Sequence, residues 1–385
     1  MMTNNPIFAI VLAGLLGAAG TGVHAGLWNS AYYAGWMQGY LPVQQVDFTA
    51  MTHVIHFSVV PKADGGLDSD VNAVTLANST DVVARAHAAG IKVLISVGGE
   101  DSAPGFRGAA SAANRPRFVT NLVSFVTSRS YDGVDLDWEP LDASDVGSYS
   151  NLVNELRVAL NAISPRPLLT AAVGSQPALF ASLQSWFDQI NLMTYSFSGP
   201  YSGWVTWFNS PIYDGGYRFP STGQLVPSTD GVVSNFLAHG VAASKLGIGI
   251  SFYGCAWSGG SGTSTGGAAL PRQSWTTAPT AAAVAYSTIM SNYYQPQLYF
   301  WDTNGQSAYL SIDQPGSAND KFISYDDQTT CRVKVAYAKQ KGLGGLMIWE
   351  LGGGYLANQP AGRRDLLLQS VKQALANVRR STGLQ

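Results

Sequence analysis

Charge is the first thing this chain has little of. Asp, Glu, Lys and Arg make up 12% of its 385 residues, about half the share usual in soluble domains. The formal net charge is −2. With no basic surplus to neutralise phosphates, nucleic acid is not an expected partner. Cysteine is scarcer still: Cys255 and Cys331 are the only two, too few for a disulfide-built scaffold. In an exported protein the pair would close one long loop, and in a reducing compartment both would be buried thiols, so spacing leaves both states open. Past the N-terminal region no apolar run is long enough to cross a bilayer.

Aromatic residues and glycine are plentiful instead, with 10 Trp, 18 Tyr and 42 Gly. Ring faces stack on the apolar faces of sugars, although aromatics also dominate ordinary cores. Residues 1–25 hold an apolar stretch from Ile7 to Gly17 and then small residues up to Val23-His24-Ala25. They read as a secretion signal cleaved near Ala25, although no Lys or Arg precedes the apolar run. An extracellular protein follows from this reading, and a monomer is expected.

From Ala31 onward, short apolar runs alternate with longer amphipathic ones. Strands are expected at Ala31 to Gly35, Thr52 to Val59, Lys92 to Gly98, Gly133 to Glu139, Leu168 to Val173, Gln189 to Tyr195, Leu246 to Phe252 and Leu343 to Trp349. Several are nearly continuous in Val, Ile, Leu and Ala, as parallel strands buried on both faces are. Helical patterns lie between them, with Gly90 and Gly342 placed as C-terminal caps. The fold class is therefore α/β, a (β/α)8 TIM barrel. Residues 26–253 and 327–378 would form the barrel, and residues 254–326, too many for an ordinary connection, a small inserted α+β subdomain able to wall a groove. Residues 379–385 would be a tail.

The most informative segment is Tyr131-Asp132-Gly133-Val134-Asp135-Leu136-Asp137-Trp138-Glu139. On a strand, alternation puts Asp135, Asp137 and Glu139 on one face and Val134, Leu136 and Trp138 on the other. Neighbouring acids would stand roughly 6 to 7 Å apart. Like charges so close cannot all ionise cheaply, so a protonated carboxyl beside an ionised one is expected. That is the equipment of a general acid with an electrostatic partner, as glycosidic cleavage needs. A hard metal ion or a structural role is the alternative, although no second cluster with His accompanies the triplet.

The run Asp132 to Glu139 resembles the DGxDxDxE signature of the family 18 chitinases. Tyr32-Tyr33-Ala34-Gly35-Trp36, Ser96-Val97-Gly98-Gly99, Met193-Thr194-Tyr195, Phe322 to Asp327 and Gly344 to Glu350 resemble other segments of that family in order and position. The resemblance implies a chitinase that hydrolyses β-1,4 bonds between N-acetylglucosamine units with retention and substrate assistance, without cofactor or metal. It implies Glu139 as acid and base, Asp137 as the group holding the substrate acetamide, Asp135 as the residue sharing a proton with Asp137, and Tyr195 as the residue aiming the acetamide. Trp349, Met193, Tyr33, Trp36, Phe57, Trp138 and Tyr253 are the implied substrate contacts, and chitin or its oligosaccharides the implied partner. An endo-N-acetylglucosaminidase and a chitin-binding lectin are the alternatives. Glu100 replaces a Trp frequent in relatives on the leaving-group side, Ser196 an Asp, Pro140 a Tyr and Cys255 an Arg. Trp204, Trp207 and Trp257 are further candidates to line a groove.

Overall fold

The structure is a computed structural model that describes residues 26–376. The expected signal, residues 1–25, and the expected tail, residues 379–385, lie outside the described residues. Eight parallel strands close on themselves: Trp28–Ala34, His53–Pro61, Lys92–Gly99, Gly133–Trp138, Leu168–Val173, Gln189–Leu192, Leu246–Ser251 and Gly345–Trp349. The first pairs with both the second and the eighth, which completes the barrel. The sixth strand stops at Leu192 rather than at Tyr195, so Met193 and Tyr195 stand beyond the ladder at its rim.

Helices surround the barrel because their starts and stops are written locally. Thr75, Ser228 and Asp327 accept the N–H of residues three further on at the heads of helices Leu76–Ala88, Thr229–Ala238 and Gln328–Gln340. Each such cap contributes about 1 kcal/mol. Gly90 and Gly342, at φ +72° and +65°, follow helices as expected of left-handed caps. Two short helices, Ala103–Ala109 and Pro177–Leu183, carry too few apolar repeats to be visible in the sequence.

Two apolar layers form. Outward-facing strand residues such as Ile95, Val134, Leu136 and Trp138 pack against helical Leu152, Leu156 and Phe118 in one large core. Inside the barrel, a smaller cluster of Tyr32, Ile55, Phe57, Leu94, Ala172 and Met347 fills the space below the rim. Full burial of each large side chain contributes roughly 1.5 to 3 kcal/mol.

The long interval after the seventh strand folds into a five-stranded antiparallel sheet of Tyr253–Ser258, Thr280–Ala285, Tyr299–Asp302, Ser307–Ile312 and Lys321–Tyr325, with helix Tyr286–Asn292. Residues 197–228, which follow the sixth strand, lie against this sheet. Trp207, Phe208, Phe219 and Val226 pack with Trp257 and Phe322 in a third cluster. Cys255 belongs to this cluster and Cys331 to the large core, so the two thiols are buried apart and both are free. Of the two states that spacing left open, the structure has the free thiols.

The return to the barrel is pinned by a buried ion pair. Lys334 Nζ lies 2.6 Å from Asp326 Oδ2, and the same oxygen accepts the N–H and hydroxyl of Ser251 at 2.9 and 3.0 Å. Both side chains are essentially without solvent contact. Removing one partner strands the other charge, at a cost of about 3 to 5 kcal/mol. Lys334→Met is expected to lower the urea unfolding free energy by that amount, and a loss below about 1 kcal/mol would show that the pair does not hold the junction.

Candidate active site

Strand register assembles the site. In the ladder, Ser96 of the third strand, Asp135 of the fourth and Thr170 of the fifth are direct neighbours. Asp135, wholly buried inside the barrel, accepts hydroxyls from Thr170 at 2.6 Å, Tyr32 at 2.8 Å and Ser96 at 3.1 Å. Burial raises its carboxyl above the ordinary range, and the three hydroxyls oppose that rise. No hydrogen bond joins it directly to Asp137 among the described residues.

Asp137, one step nearer the rim, is also buried and lacks such a cage. Its Oδ1 has no hydrogen-bond partner among the described residues. Burial first, then the charges of Glu139 and Asp135, push its pKa well above the usual carboxylate value. Opposite it stands Gly98, where a Cβ would fall 2.1 Å from the Asp137 carbonyl oxygen, so only glycine permits this approach.

Glu139 follows directly after the strand. Its backbone N–H donates to Ser102 Oγ at 3.2 Å and its carbonyl accepts Ala103 N–H at 2.9 Å, which bolts it to the turn after the third strand. Burial raises its carboxyl, and the nearby Glu100 carboxylate raises it further.

Asp137 and Glu139 open onto a groove of about 800 Å³ at the C-terminal ends of the strands. Phe57, Trp349, Met193, Tyr195, Tyr253 and Trp36 all line it. Trp349 stands edge-on to Phe57 and Tyr32, with centroids 4.6 and 5.5 Å apart. Tyr195 meets Tyr253 edge-on at 5.8 Å, and the Tyr253 hydroxyl shares a 2.5 Å hydrogen bond with Ser196. Trp36 leaves 48% of its surface exposed at the groove edge. Ala283, Val284 and Ala285 bring the inserted sheet to the same groove, where they form one wall.

Two expected contacts are corrected. Tyr33 faces outward, buried in the large core, and donates its hydroxyl to the Leu41 carbonyl at 2.6 Å. Trp138 is on the outer face too, stacked on Phe106 at 4.7 Å; it reaches only a separate cavity of about 250 Å³ behind Glu139. Alternation along each strand turns both rings away from the groove. Trp207 and Trp257 are likewise buried far from it, in the cluster beneath the inserted sheet. His56 is a core residue held by Tyr131 and Gln38, its pKa lowered by burial to about 3.

Several site residues escape sequence reasoning. Tyr32, Ser96 and Thr170 become functional only through register, and Glu350 through its place after the last strand. Glu350 accepts the N–H groups of Gly352 and Gly353 at 2.9 and 2.6 Å, and burial lifts it to about 7.

The model of the glycosyl hydrolases family 18 matches residues 29–354. The chain belongs to glycosyl hydrolase family 18. It is 33% identical over 297 residues to chitinase A1 of Niallia circulans, covering 68% of this chain and 40% of that protein. It is 29% identical over 337 residues to a class V chitinase of Arabidopsis thaliana, covering 81% of this chain and 82% of that protein. Thus the chain spans about two fifths of the length of the Niallia relative. The fold matches that of an Ostrinia furnacalis group IV chitinase crystallised with allosamidin, with a TM-score of 0.78 at 21% identity over 91% of this chain and 99% of the other.

Asp137 supplies a pH test of the cluster. Its folded pKa is raised, so the folded state keeps a proton that the unfolded chain releases. Stability from this group is present below the unfolded pKa and is lost as pH rises through the folded one. Asp137→Asn is therefore expected to raise the melting temperature at neutral pH by about 2 to 4 °C, with little gain below the ordinary carboxylate range. A gain independent of pH, or a loss, would contradict the assignment.

Proposed function

We propose that this chain is a secreted chitinase that hydrolyses β-1,4 bonds between N-acetylglucosamine units, with the substrate's own acetamido group as nucleophile. One observation carries the reading. Asp137 and Glu139 lie side by side at the mouth of an aromatic groove, both with raised pKa values, and Asp137 Oδ1 is a buried acceptor without a hydrogen-bond partner among the described residues. The names of the relatives support the same substrate.

Glu139, its carboxyl raised by burial, donates a proton to the glycosidic oxygen as the bond to the anomeric carbon breaks. The acetamido carbonyl oxygen forms a new bond to that carbon and gives an oxazolinium ion, with the leaving sugar departing as an alcohol. Asp137 Oδ1 accepts the acetamido N–H and so holds the attacking group in position. Tyr195 donates its hydroxyl to the acetamido oxygen and aims it. Water, losing a proton to the Glu139 carboxylate, then adds to the anomeric carbon from the face the leaving group vacated, so configuration is retained. Because attack is intramolecular, neither a protein nucleophile nor a cofactor is required. Below the sugar, Trp349, Phe57 and Met193 form an apolar floor. Asp135 acts at one remove, its charge raising the Asp137 carboxyl further. Residues 1–25 carry the export part of the reading, and the protein acts as a monomer.

Glu139→Gln is expected to lower kcat on chitotetraose by about 10²- to 10⁴-fold while calorimetry still shows the tetramer bound. A wild type that binds the tetramer without cutting it would make the protein a lectin. A fully deacetylated tetramer is expected to remain intact with wild-type protein; cleavage at the rate of the acetylated one would rule out acetamide participation.

A further inference from the structure

Glu350 lines the groove beside Trp349, and no step of the reaction uses it. Both of its oxygens are engaged: Oε2 accepts the N–H of Gly352 at 2.9 Å and Oε1 that of Gly353 at 2.6 Å. The Ala34 N–H, at the end of the first strand, acts on the same carboxyl. The ionised form suits these donors best, since a carboxylate only accepts while a carboxylic acid must also place an O–H. Burial nevertheless lifts the group to about 7. Its folded pKa lies above the unfolded one, so stability from this group is lost as pH rises through the folded value. A role in stability alone does not call for a carboxylate here.

The turn that Glu350 holds, Leu351–Gly354, is buried along its whole length and wedged between two groove elements. A Cβ at Gly352 would fall 2.6 Å from Met37 Cε, and one at Gly354 would fall 2.5 Å from the Phe252 ring. Met37 ends the short turn Gly35–Met37 that carries Trp36, and Phe252 donates its N–H to the Trp349 carbonyl at 2.7 Å. The carboxyl thus ties together the exits of the first, seventh and eighth strands. The rings at this end of the barrel touch in series, Trp349 edge-on to Phe57 at 4.6 Å and Phe57 edge-on to Trp36 at 5.7 Å. Tyr32 meets both Trp349 and Phe57, at 5.5 and 6.1 Å, and gives its hydroxyl to Asp135. Few titratable groups face the carboxyl. Tyr33 of the first strand feels its charge, while Phe252 and the two turns contribute none. Elsewhere in the groove stand Glu100, Asp101, Asp137, Glu139, Tyr195 and Tyr253.

We propose that Glu350 is a positioning residue: its carboxylate locks the Leu351–Gly354 turn and so sets Trp349 and Trp36 in the arrangement that seats the sugar for cleavage. The seating of the sugar rests on the chitinase reading, whereas the locking of the two rings does not. Gln has the same shape with a single acceptor oxygen, so Glu350→Gln leaves one glycine N–H facing an NH2 group. The floor ring then loses its fixed pose, and the cost falls on the chemical step more than on binding.

Fluorine NMR on protein labelled with fluorotryptophan tests the lock, the two signals being assigned through Trp349→Phe and Trp36→Phe. In the wild type both are expected to shift together as pH is varied, with a midpoint of about 7. The shift is expected to persist in Asp137→Asn and in Glu139→Gln and to vanish in Glu350→Gln. On chitotetraose, Glu350→Gln is expected to lower kcat by about 10- to 100-fold with KM little changed. Calorimetry is expected still to count one tetramer per chain, which a partly unfolded sample would not give. Signals that do not titrate, that titrate only while Asp137 and Glu139 are intact, or that titrate in Glu350→Gln as in the wild type would overturn the proposal, as would an unchanged kcat. A wild type that cuts nothing would remove the chitinase reading and leave the fluorine titration to decide. Should Glu350→Gln fail to fold, the titrations of the wild type, Asp137→Asn and Glu139→Gln decide.

Discussion

Negative charge confined in a space with little water is the constraint around which this molecule is arranged. Asp135, Asp137 and Glu139 project from one face of a single strand into the barrel mouth, and burial is the largest influence on each of them. Three ionised carboxylates at this spacing and depth would be far costlier than one ion with protonated neighbours. The hydroxyls of Tyr32, Ser96 and Thr170 oppose the rise at Asp135 alone, because they donate to it and to neither of the others. Asp137 and Glu139, the pair nearest the groove, have no such cage, and burial raises both carboxyls.

The remainder of the fold supports that division. Parallel pairing of the third, fourth and fifth strands delivers two of the three hydroxyls without any loop having to be ordered. Apolar filling beneath, from Ile55, Leu94 and Met347, keeps water from reaching the cluster from below. Above, the inserted sheet contributes a wall and makes a cleft of what would be an open rim. It is secured at its return by the Asp326 and Lys334 pair against Ser251. Stability and reactivity are thus built from the same strand ends, as barrel enzymes in general place chemistry at the C-terminal face.

The barrel was legible because its strands are short, apolar and regularly spaced, and because period-two alternation is unambiguous where acids interrupt it. The same alternation should have excluded Trp138, which sits between Asp137 and Glu139 and must face the other way. Tyr32 and Tyr33 illustrate the limit. A strand buried on both faces gives no polar mark of which tyrosine points inward, and only register with the neighbouring strands settles it. The hydroxyl cage of Asp135 was hidden for the same reason, since its members are far apart in sequence and ordinary in type. Trp207 and Trp257 were suggestive as groove residues because composition does not distinguish a sugar platform from the core of an inserted sheet. The segment from 197 to 228 lacked periodicity and acquired order only by packing on that sheet.

The central claim is that the cluster keeps protons at neutral pH and that Asp137 holds one more firmly than Asp135 does. Carboxyl carbon NMR, titrated on protein labelled at Asp and Glu, reads this directly. The expected result is an Asp137 resonance that remains in its protonated position through neutral pH, with Glu139 titrating above the ordinary glutamate range. Ionisation of all three carboxyls by about pH 5, as in unperturbed side chains, would contradict it.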